Sequence, residues 1–181
     1  MARALAANGY ADTTITHIVR EAAVSRRTFY EHFATKAECL IALYEAASLN
    51  ALKTLREAID PQRDWQAQIE NAMSAYLRGL SQNPVLLRTL FVEILGLGAE
   101  GLAARRRMNE VITDFMLKIV NGERGQPKRK APLTRELALA AVGGIHELVL
   151  DAIERDCAND LQSIVAPAIQ LVRAATQDPR Q

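Results

Sequence analysis

Apolar side chains recur along this chain at spacings of three and four residues, which is the period of one face of an α-helix. No segment shows the alternation of β-branched and polar residues that a half-buried strand requires. Glycine, proline and capping residues divide the pattern into nine segments: residues 1–8, 15–22, 26–33, 36–59, 65–80, 85–95, 102–121, 134–156 and 161–176. The pattern therefore predicts an all-α fold.

Polar residues stand where several of these segments begin, and a side-chain oxygen there can accept from a free N–H of the first helical turn. Thr14 and Ser25 occupy this position before the second and third segments. Thr35 and Glu38 form a T-x-x-E capping box before the fourth. In the last segment Pro167 lacks a backbone N–H, so we expect it to kink the helix or to delay its regular hydrogen bonding.

The second and third segments are short amphipathic helices joined by a tight turn at Ala23, and such a pair fits a helix-turn-helix. The third carries side chains that reach phosphates or base edges: Arg26, Arg27, Thr28 and Tyr30. Residues 1–37 hold five Lys and Arg against three Asp and Glu, a local excess of +2, whereas the whole chain has +1. From composition alone, solvated charges on an ordinary helix pair are the alternative.

The segment NGYADTTITHIVREAAVSRRTFYEHFATKAECLIALYE, Asn8 to Glu45, resembles the DNA-binding signature of the TetR family of transcriptional regulators. The residues that carry the resemblance are Gly9, Tyr10, Thr13, Thr14, Val24, Ser25, Thr28, Phe29, Tyr30, His32, Phe33 and Lys36. One departure is Ala23, where the family usually has glycine in the turn. Alanine tolerates a left-handed backbone poorly, at a cost of roughly 1 kcal/mol.

The resemblance implies that the third segment enters the major groove of operator DNA. The contact candidates are Arg26, Arg27, Thr28, Tyr30, His32 and Lys36, with Thr16 and Ser25 as secondary phosphate candidates. It also implies a helix-turn-helix DNA-binding domain over residues 1–45 and a ligand-binding and dimerisation domain over residues 46–181. The first helix is short for this family, and two origins of Met1 stay open: an internal start of a longer gene, or the boundary of an expressed segment.

In regulators of this family the last two helices pair with those of a second subunit, and the segments 134–156 and 161–176 resemble that pair. They carry more apolar surface than one small body easily covers, at Leu137, Ala141, Gly144, Leu148, Ile153, Ile164, Ala168 and Leu171. We expect a homodimer, because its twofold symmetry matches a palindromic operator.

A pocket between the body helices would be lined by apolar and aromatic side chains, with a few polar groups that orient a small apolar or amphipathic effector. The candidates are Trp65, Met73, Tyr76, Phe91, Phe115, Met116 and His146. Ordinary core packing is the competing explanation for each of them. The resemblance thus implies a ligand-responsive, operator-binding regulator, and we expect a repressor that a small molecule releases from double-stranded DNA.

Other motifs do not support an enzyme. Gly96, Gly98 and Gly101 spell G-x-G-x-x-G, but the apolar run before them has helical spacing, whereas a dinucleotide-binding fingerprint follows a strand. We find no catalytic or metal-binding signature, and Cys39 and Cys157 are far apart, so we expect no catalysis, cofactor or metal. Two alternatives stay open: a helical carrier or enzyme whose N-terminal helices do not bind DNA, and a regulator that responds to a protein partner instead of a ligand.

The composition is that of a globular protein, with 49% hydrophobic and 24% charged residues. No stretch approaches the roughly 18 uncharged residues of a membrane span. The N-terminus also lacks the basic-then-apolar order of a secretory signal. We therefore expect a cytoplasmic protein with no membrane partner.

Overall fold

A computed structural model describes residues 1–122 and 132–176, and each secondary-structure element in those two ranges is helical. The α-helices are α1 Ala2–Asp12, α2 Ile15–Ala22, α3 Arg26–His32, α4 Lys36–Glu57, α5 Trp65–Ser81, α6 Pro84–Arg88, α7 Ala99–Asn121, α8 Arg135–Glu154 and α9 Val165–Thr176. No helix among them is long and apolar enough to cross a bilayer. The all-α prediction is confirmed, and the basic run 128–130 falls outside the described residues.

The predicted caps form and set where the N-terminal helices begin. Thr14, Ser25 and Thr35 each accept a hydrogen bond from the backbone N–H three residues later, at 3.2, 3.0 and 3.0 Å. The Glu38 carboxylate reaches one residue farther back than a capping box requires, because it accepts from the N–H of Ala34 at 2.6 Å. The starts of α2, α3 and α4 therefore follow from the sequence.

The first three helices close around a small apolar cluster, which also includes the start of α4. Its buried members are Ala4, Ile18, Val19, Phe29 and Cys39. Gly9 interrupts α1 where the sequence predicts its end, with φ of 71°, and one more turn continues to Asp12. We call α1, α2 and α3 the head.

The long helix α4 links the head to the rest of the molecule, which we call the body. Cys39 packs in the head, Tyr44 in a second cluster with α7, and Leu52 and Leu55 in the main core. The predicted domain boundary after residue 45 lies inside this helix. The division into two domains therefore stays a prediction, and head and body share one continuous element.

The main core lies between α4, α5, α8 and α9 and is filled by fully buried side chains such as Leu77, Val149 and Leu161. A short 3₁₀ turn, Leu161–Ile164, precedes α9, so that Pro167 occupies the first turn of the α-helix. A proline there removes no hydrogen bond, because the N–H groups of the first turn have no partner within the helix. The predicted delay in regular bonding is confirmed.

The predicted single helix over residues 85–95 is wrong. The chain instead forms α6, a π-helical turn over Thr89–Glu93 and a 3₁₀ turn over Leu95–Leu97. The Ile94 N–H donates to the Thr89 carbonyl five residues earlier, at 3.2 Å. Periodicity does not reveal one wide turn, since a single extra residue leaves the apolar spacing on either side intact.

The glycine-rich stretch that follows connects helices, as its helical context predicts. A Cβ on Gly101 would lie 1.8 Å from the Ile94 carbonyl oxygen, so this glycine allows the turn before α7 to press against the first turn of α7. No strand precedes the stretch among the described residues. Close backbone packing at Gly101 therefore explains a glycine of the G-x-G-x-x-G pattern without a dinucleotide.

Several residues that the sequence assigns to a subunit interface are instead buried in the chain's own core: Ala141, Ile153, Ile164 and Ala168. Gly144 also serves internal packing, because a Cβ there would lie 2.6 Å from Cδ2 of Leu171. The prediction failed at these positions because the apolar arc of α8 is wide, and periodicity does not say which part of a wide arc faces the chain's own core.

Candidate functional site

The orientation of α3 is fixed by aromatic side chains on its inner face. Phe29 is buried against α2 and lies 5.5 Å from the ring of Phe33, centroid to centroid. Anchoring this face turns the opposite face outward, where Arg26 and Arg27 are exposed and Tyr30 keeps 50% of its surface accessible. The rings of Tyr30 and Phe29 are nearly perpendicular, with centroids 5.6 Å apart, so Tyr30 packs on the buried ring while half of its surface stays accessible.

The turn before α3 keeps a left-handed backbone at Ala23 and does not adjust to avoid it. Ala23 ends α2 in the left-handed region, with φ of 54° and ψ of 40°. Ser25 then caps α3, and its hydroxyl oxygen lies 3.0 Å from that of Thr28. These two hydroxyls and the first turn of α3 are accessible from the side of the helix that carries the arginines.

An ion pair on α3 compensates the one acidic side chain on that helix. The Glu31 carboxylate accepts from Nε of Arg27 at 3.3 Å, one helical turn away. A carboxylate beside a DNA phosphate would otherwise repel it. The Arg27 side chain is 91% exposed and uses only its Nε–H in this pair, so its other N–H donors can reach a phosphate or a guanine edge while Glu31 stays compensated.

The remaining DNA-contact candidates surround this face. Thr16 is exposed in the first turn of α2, and His32 is exposed at the end of α3. Lys36 has a structural partner: its ammonium donates to the carbonyl oxygens of Tyr10 at 2.8 Å and Ala11 at 3.3 Å. It also lies 4.3 Å from the centre of the Tyr10 ring. Lys36 therefore holds the end of α1 on α4, and its contact with phosphate stays a prediction.

Two polar side chains of the head have roles that the motif alone did not reveal. The hydroxyl of Thr13 is buried and donates to the carbonyl oxygens of Ala4 and Gly9, at 3.2 and 2.5 Å. The ring of His17 accepts from the Thr14 N–H at 3.4 Å and completes a reciprocal cap. Both stabilise the position of α2, and a T-x-x-H cap is rarer than the T-x-x-E signal that sequence reasoning searches for.

A cavity of about 90 Å³ lies inside the body. Helices α4, α5, α7, α8 and α9 supply its walls, which are almost entirely apolar, so we call it the apolar cavity. Six of the seven effector candidates line it: Trp65, Met73, Tyr76, Phe115, Met116 and His146. The seventh, Phe91, does not.

Two buried polar side chains in this wall have no hydrogen-bond partner within residues 1–122 and 132–176. His146 is 8% exposed, and burial together with the positive charge of Arg105 lowers its pKa to about 4. Burial also raises the pKa of Tyr76. Both side chains are therefore neutral near pH 7. An unpaired buried polar group is unfavourable, so each would gain from a hydrogen bond to a bound molecule.

A second cavity, which we call the adjoining cavity, lies beyond these two residues. Tyr76 and His146 line both cavities, whereas Phe91, Tyr44 and Arg105 line only the second of the two. The Phe91 ring meets the His146 ring edge to face, with centroids 5.3 Å apart. Sequence reasoning missed Arg105 because it begins a run of three arginines, in which nothing marks the one that turns inward.

The outer faces of α8 and α9 form one further candidate surface. On α8, Leu139 is 45% exposed and lies one turn before Gly143, where an added Cβ would meet nothing within 4 Å. Leu137 is 52% exposed but points about 200° away from Leu139, so it does not share this side of the helix. Small or apolar side chains are also exposed on α9, at Ala166, Pro167 and Ala174. Because these residues lie outside the chain's own core, they are available to a second subunit.

Comparisons with known proteins agree with the geometry of the head. Residues 2–43 match the family model described as bacterial regulatory proteins, tetR family. The chain is 31% identical over 77 residues to the uncharacterized HTH-type transcriptional regulator YxbF of Bacillus subtilis (strain 168). That match covers 42% of this chain and only 20% of the relative's length.

Three solved structures resemble the whole chain. The fatty acid degradation regulator FadR from Bacillus halodurans has a TM-score of 0.72 at 19% identity, over 99% of this chain and 92% of that one. A regulatory protein of the tetR family from Rhodococcus RHA1 has a TM-score of 0.62 at 21% identity, over 97% and 92%. The TetR family regulator PfmR from Thermus thermophilus has a TM-score of 0.58 at 17% identity, over 99% and 96%. At these identities the likeness shows the fold alone. The head of this chain therefore matches the TetR family of bacterial regulatory proteins, and the whole chain has the fold of the three solved regulators.

Proposed function

We propose that this protein is an operator-binding transcriptional repressor that a small ligand releases from DNA. The observation that carries the proposal is the outer face of α3, where Arg26, Arg27 and Tyr30 are exposed on a capped helix whose inner face is anchored by Phe29. Residues 1–45 act as the DNA-binding part in this proposal. Binding to chromosomal operators would also place the protein in the cytoplasm.

Each candidate contact has a chemical role. Arginine can fork onto the O6 and N7 acceptors of guanine, so Arg26 and Arg27 are suited to base edges or phosphates. The Tyr30 hydroxyl and those of Thr28, Ser25 and Thr16 can donate to phosphate oxygens. His32 lies at the end of the same helix and Lys36 beside it, at the N-terminus of α4, where free backbone N–H groups favour an anion.

Dimerisation through α8 and α9 completes the proposal. Two recognition helices held by one dimer can enter successive major grooves on the same side of a palindromic operator. The exposed apolar residue Leu139 and the open position at Gly143, one turn apart on the same side of α8, support a contact with a second copy on this face. The exposed alanines of α9, Ala166 and Ala174, would allow the helices of two subunits to approach closely.

Ligand control would act through α4 and through the segment between α6 and α7. The π turn, Thr89–Glu93, contacts both α8 and α1 of the head. Its Phe91 touches His146 in the cavity wall, and its Glu93 raises the pKa of Tyr10 in α1, after the larger effect of burial. A ligand that favours one arrangement of this segment would alter the spacing of the two α3 helices, with a typical coupling of roughly 1 to 3 kcal/mol.

The test is a salt titration of binding to duplex DNA from upstream of the protein's own gene, followed by fluorescence anisotropy. We compare the native chain with Arg27→Ala/Tyr30→Ala, and expect affinity to fall at least about tenfold in the double variant, because one arginine–base contact is worth roughly 1 to 3 kcal/mol. Affinity of the native protein should fall steeply with salt, since neutralised phosphates release counterions.

The matched control is Arg63→Ala, which removes one positive charge from the exposed connection between α4 and α5, where Arg63 pairs only with Asp60. It should bind DNA like the native chain. Equal affinity of native and double-variant protein at every salt concentration would contradict the assignment of α3. Absence of duplex binding at low salt would favour the alternative of a helical carrier or enzyme, which neither the family match nor the fold supports.

The dimer is tested by Gly143→Arg and sedimentation. Because nothing lies within 4 Å of a Cβ at this position, the arginine does not disturb the chain's own core, and it replaces a residue that weakens a helix. We expect the variant to keep its circular dichroism spectrum and to sediment as a monomer at concentrations where the native chain is a dimer. A variant that dimerises as tightly as the native chain would exclude this face from the interface.

A further inference from the structure

Three cavities follow one another through the body, and Tyr76 lines all of them. The apolar cavity meets the adjoining cavity at Tyr76 and His146. The third cavity, of about 220 Å³, shares Leu80 and Leu90 with the adjoining cavity. Its other end is lined by the polar side chains of Asn50, Thr54, Gln82 and Asn83. A bound molecule therefore meets an apolar end and a polar end.

Arg105 is the one charged side chain among the residues that line these three cavities, which all lie in the described part of the chain. Among the described residues, no aspartate or glutamate lines any of them. A cation placed inside would find no carboxylate, whereas an anion would find a guanidinium. The charge of the wall therefore discriminates between ligand classes.

Within residues 1–122 and 132–176, the Arg105 guanidinium is not saturated by protein partners. Its nearest carboxylate is that of Glu147 at 4.0 Å, and the Glu147 side chain is 72% exposed to solvent. A pair so long and so exposed leaves most of the five N–H donors of an arginine without an acceptor. The charge also acts inside the body, because it adds to burial in lowering the pKa of His146.

Three residues that carry hydroxyl groups, Tyr44, Ser48 and Tyr76, line the same adjoining cavity as Arg105. They can donate to an oxyanion that the guanidinium holds, and together these groups make a recognition site for a carboxylate. The neighbouring apolar cavity offers no group of this kind beyond Tyr76, His146, Gln68 and Trp65, so it suits hydrocarbon.

We propose that the effector is a small monoanionic amphiphile that places its hydrocarbon tail in the apolar cavity and its carboxylate against Arg105 in the adjoining cavity. This assignment rests on the proposed role of the body as an effector-binding unit. The tail is at most of medium length, because the apolar cavity is small at about 90 Å³.

The test uses octanoate, 1-octanol and octyltrimethylammonium as probes, which share one tail and differ in charge. Trp65 is the single tryptophan of the chain and lines the apolar cavity, so its fluorescence reports binding directly. We expect octanoate to bind most tightly and the cation least. Arg105→Gln should weaken octanoate binding roughly ten- to 100-fold, since hydrogen bonds to charged groups are worth that much, and should leave 1-octanol within about twofold.

Arg106→Gln is the matched control, because Arg106 is the next residue of α7 and is exposed to solvent. It should bind all three probes like the native chain. Arg105→Lys keeps the positive charge and should retain octanoate binding better than Arg105→Gln, which keeps the test decisive if the glutamine variant folds poorly. Equal affinity for octanoate and 1-octanol, or an Arg105→Gln chain that binds octanoate as well as native, overturns the proposal.

Duplex binding measured in parallel separates this inference from the proposed function. Octanoate that binds through Arg105 without changing the affinity for operator DNA supports the ligand class and contradicts ligand control. A chain that binds operator DNA but shows no Arg105-dependent preference for octanoate contradicts the ligand class alone.

Discussion

Gly101→Ala tests whether the stretch before α7 presses on the first turn of that helix. The added Cβ would lie 1.8 Å from the Ile94 carbonyl oxygen, and contacts under 3.0 Å are essentially never seen, so the two backbones must separate by at least 3.0 − 1.8 = 1.2 Å. Overpacking of this kind costs about 1 to 3 kcal/mol, and the upper end applies because a main-chain carbonyl has no rotamer to change. Helix propensity returns up to about 1 kcal/mol, which leaves a net loss of about 2 kcal/mol.

The matched control is Gly79→Ala in α5, where nothing lies within 4 Å of the new Cβ. The same substitution should there raise the free energy of unfolding by up to about 1 kcal/mol, because alanine restricts the unfolded chain. Thermal unfolding followed by circular dichroism, at one protein concentration for all variants, checks both. At about 2 to 4 °C per kcal/mol, we expect Tm to fall by roughly 4 to 8 °C in Gly101→Ala and to rise slightly in Gly79→Ala. A Gly101→Ala chain as stable as the native one would refute the reasoning.

Three further outcomes follow from the same geometry. Ala23→Gly should stabilise the head by about 0.5 to 1 kcal/mol in urea unfolding, because φ of 54° is strained for alanine. An unchanged urea midpoint would show that the alanine is not strained. Lys36→Met should lower the unfolding free energy by roughly 1 to 2 kcal/mol through loss of its bonds to α1, whereas a lysine that only meets phosphate would leave stability unchanged. Burial and Arg105 lower the pKa of His146 to about 4, below its ordinary 6.5, so between these pH values the unfolded chain binds a proton that the folded chain does not. The free energy of unfolding should therefore be at its full value above pH 6.5 and fall by up to about 3 kcal/mol as the pH drops to 4. His146→Gln should flatten this pH dependence.

The head could be predicted closely because its signals are local. Thr14, Ser25 and Thr35 each act on a backbone group three residues away, and Phe29 and Phe33 face inward on one helical period. Caps and periodicity of this kind do not depend on distant elements. At Ala23 the sequence left two outcomes open, an adjusted turn or a strained alanine, and the structure has the second.

The cavity was only partly predictable. Large aromatic and methionine side chains at helical spacing face inward, which is why six of seven candidates line one cavity. Whether an inward side chain lines a void or fills it depends on how five helices meet. Arg105 shows the limit: the rotation of α7 turns this arginine toward the cavities and leaves Arg106 exposed, and that rotation is set by contacts outside the local sequence.

The outer face of α8 and α9 shows a second limit. Apolar periodicity predicted surface for a partner, yet Ala141 and Ala168 belong to the chain's own core while Leu139 and Gly143 remain outside it. A helix with a wide apolar arc satisfies either assignment, and only tertiary packing selects one.

The π-helical turn at Thr89–Glu93 lies between the cavity and the head, and it can change only from one helical register to another. Closing a π turn to an α turn removes one residue from the turn, so everything after it would rotate by about 100° and advance by about 1.5 Å. This turn touches α8 on one side and α1 on the other. Its alternatives are whole-residue registers, and packed side chains do not hold positions between two registers. Signal transfer along this segment would therefore occur in discrete steps of one residue and not by gradual bending.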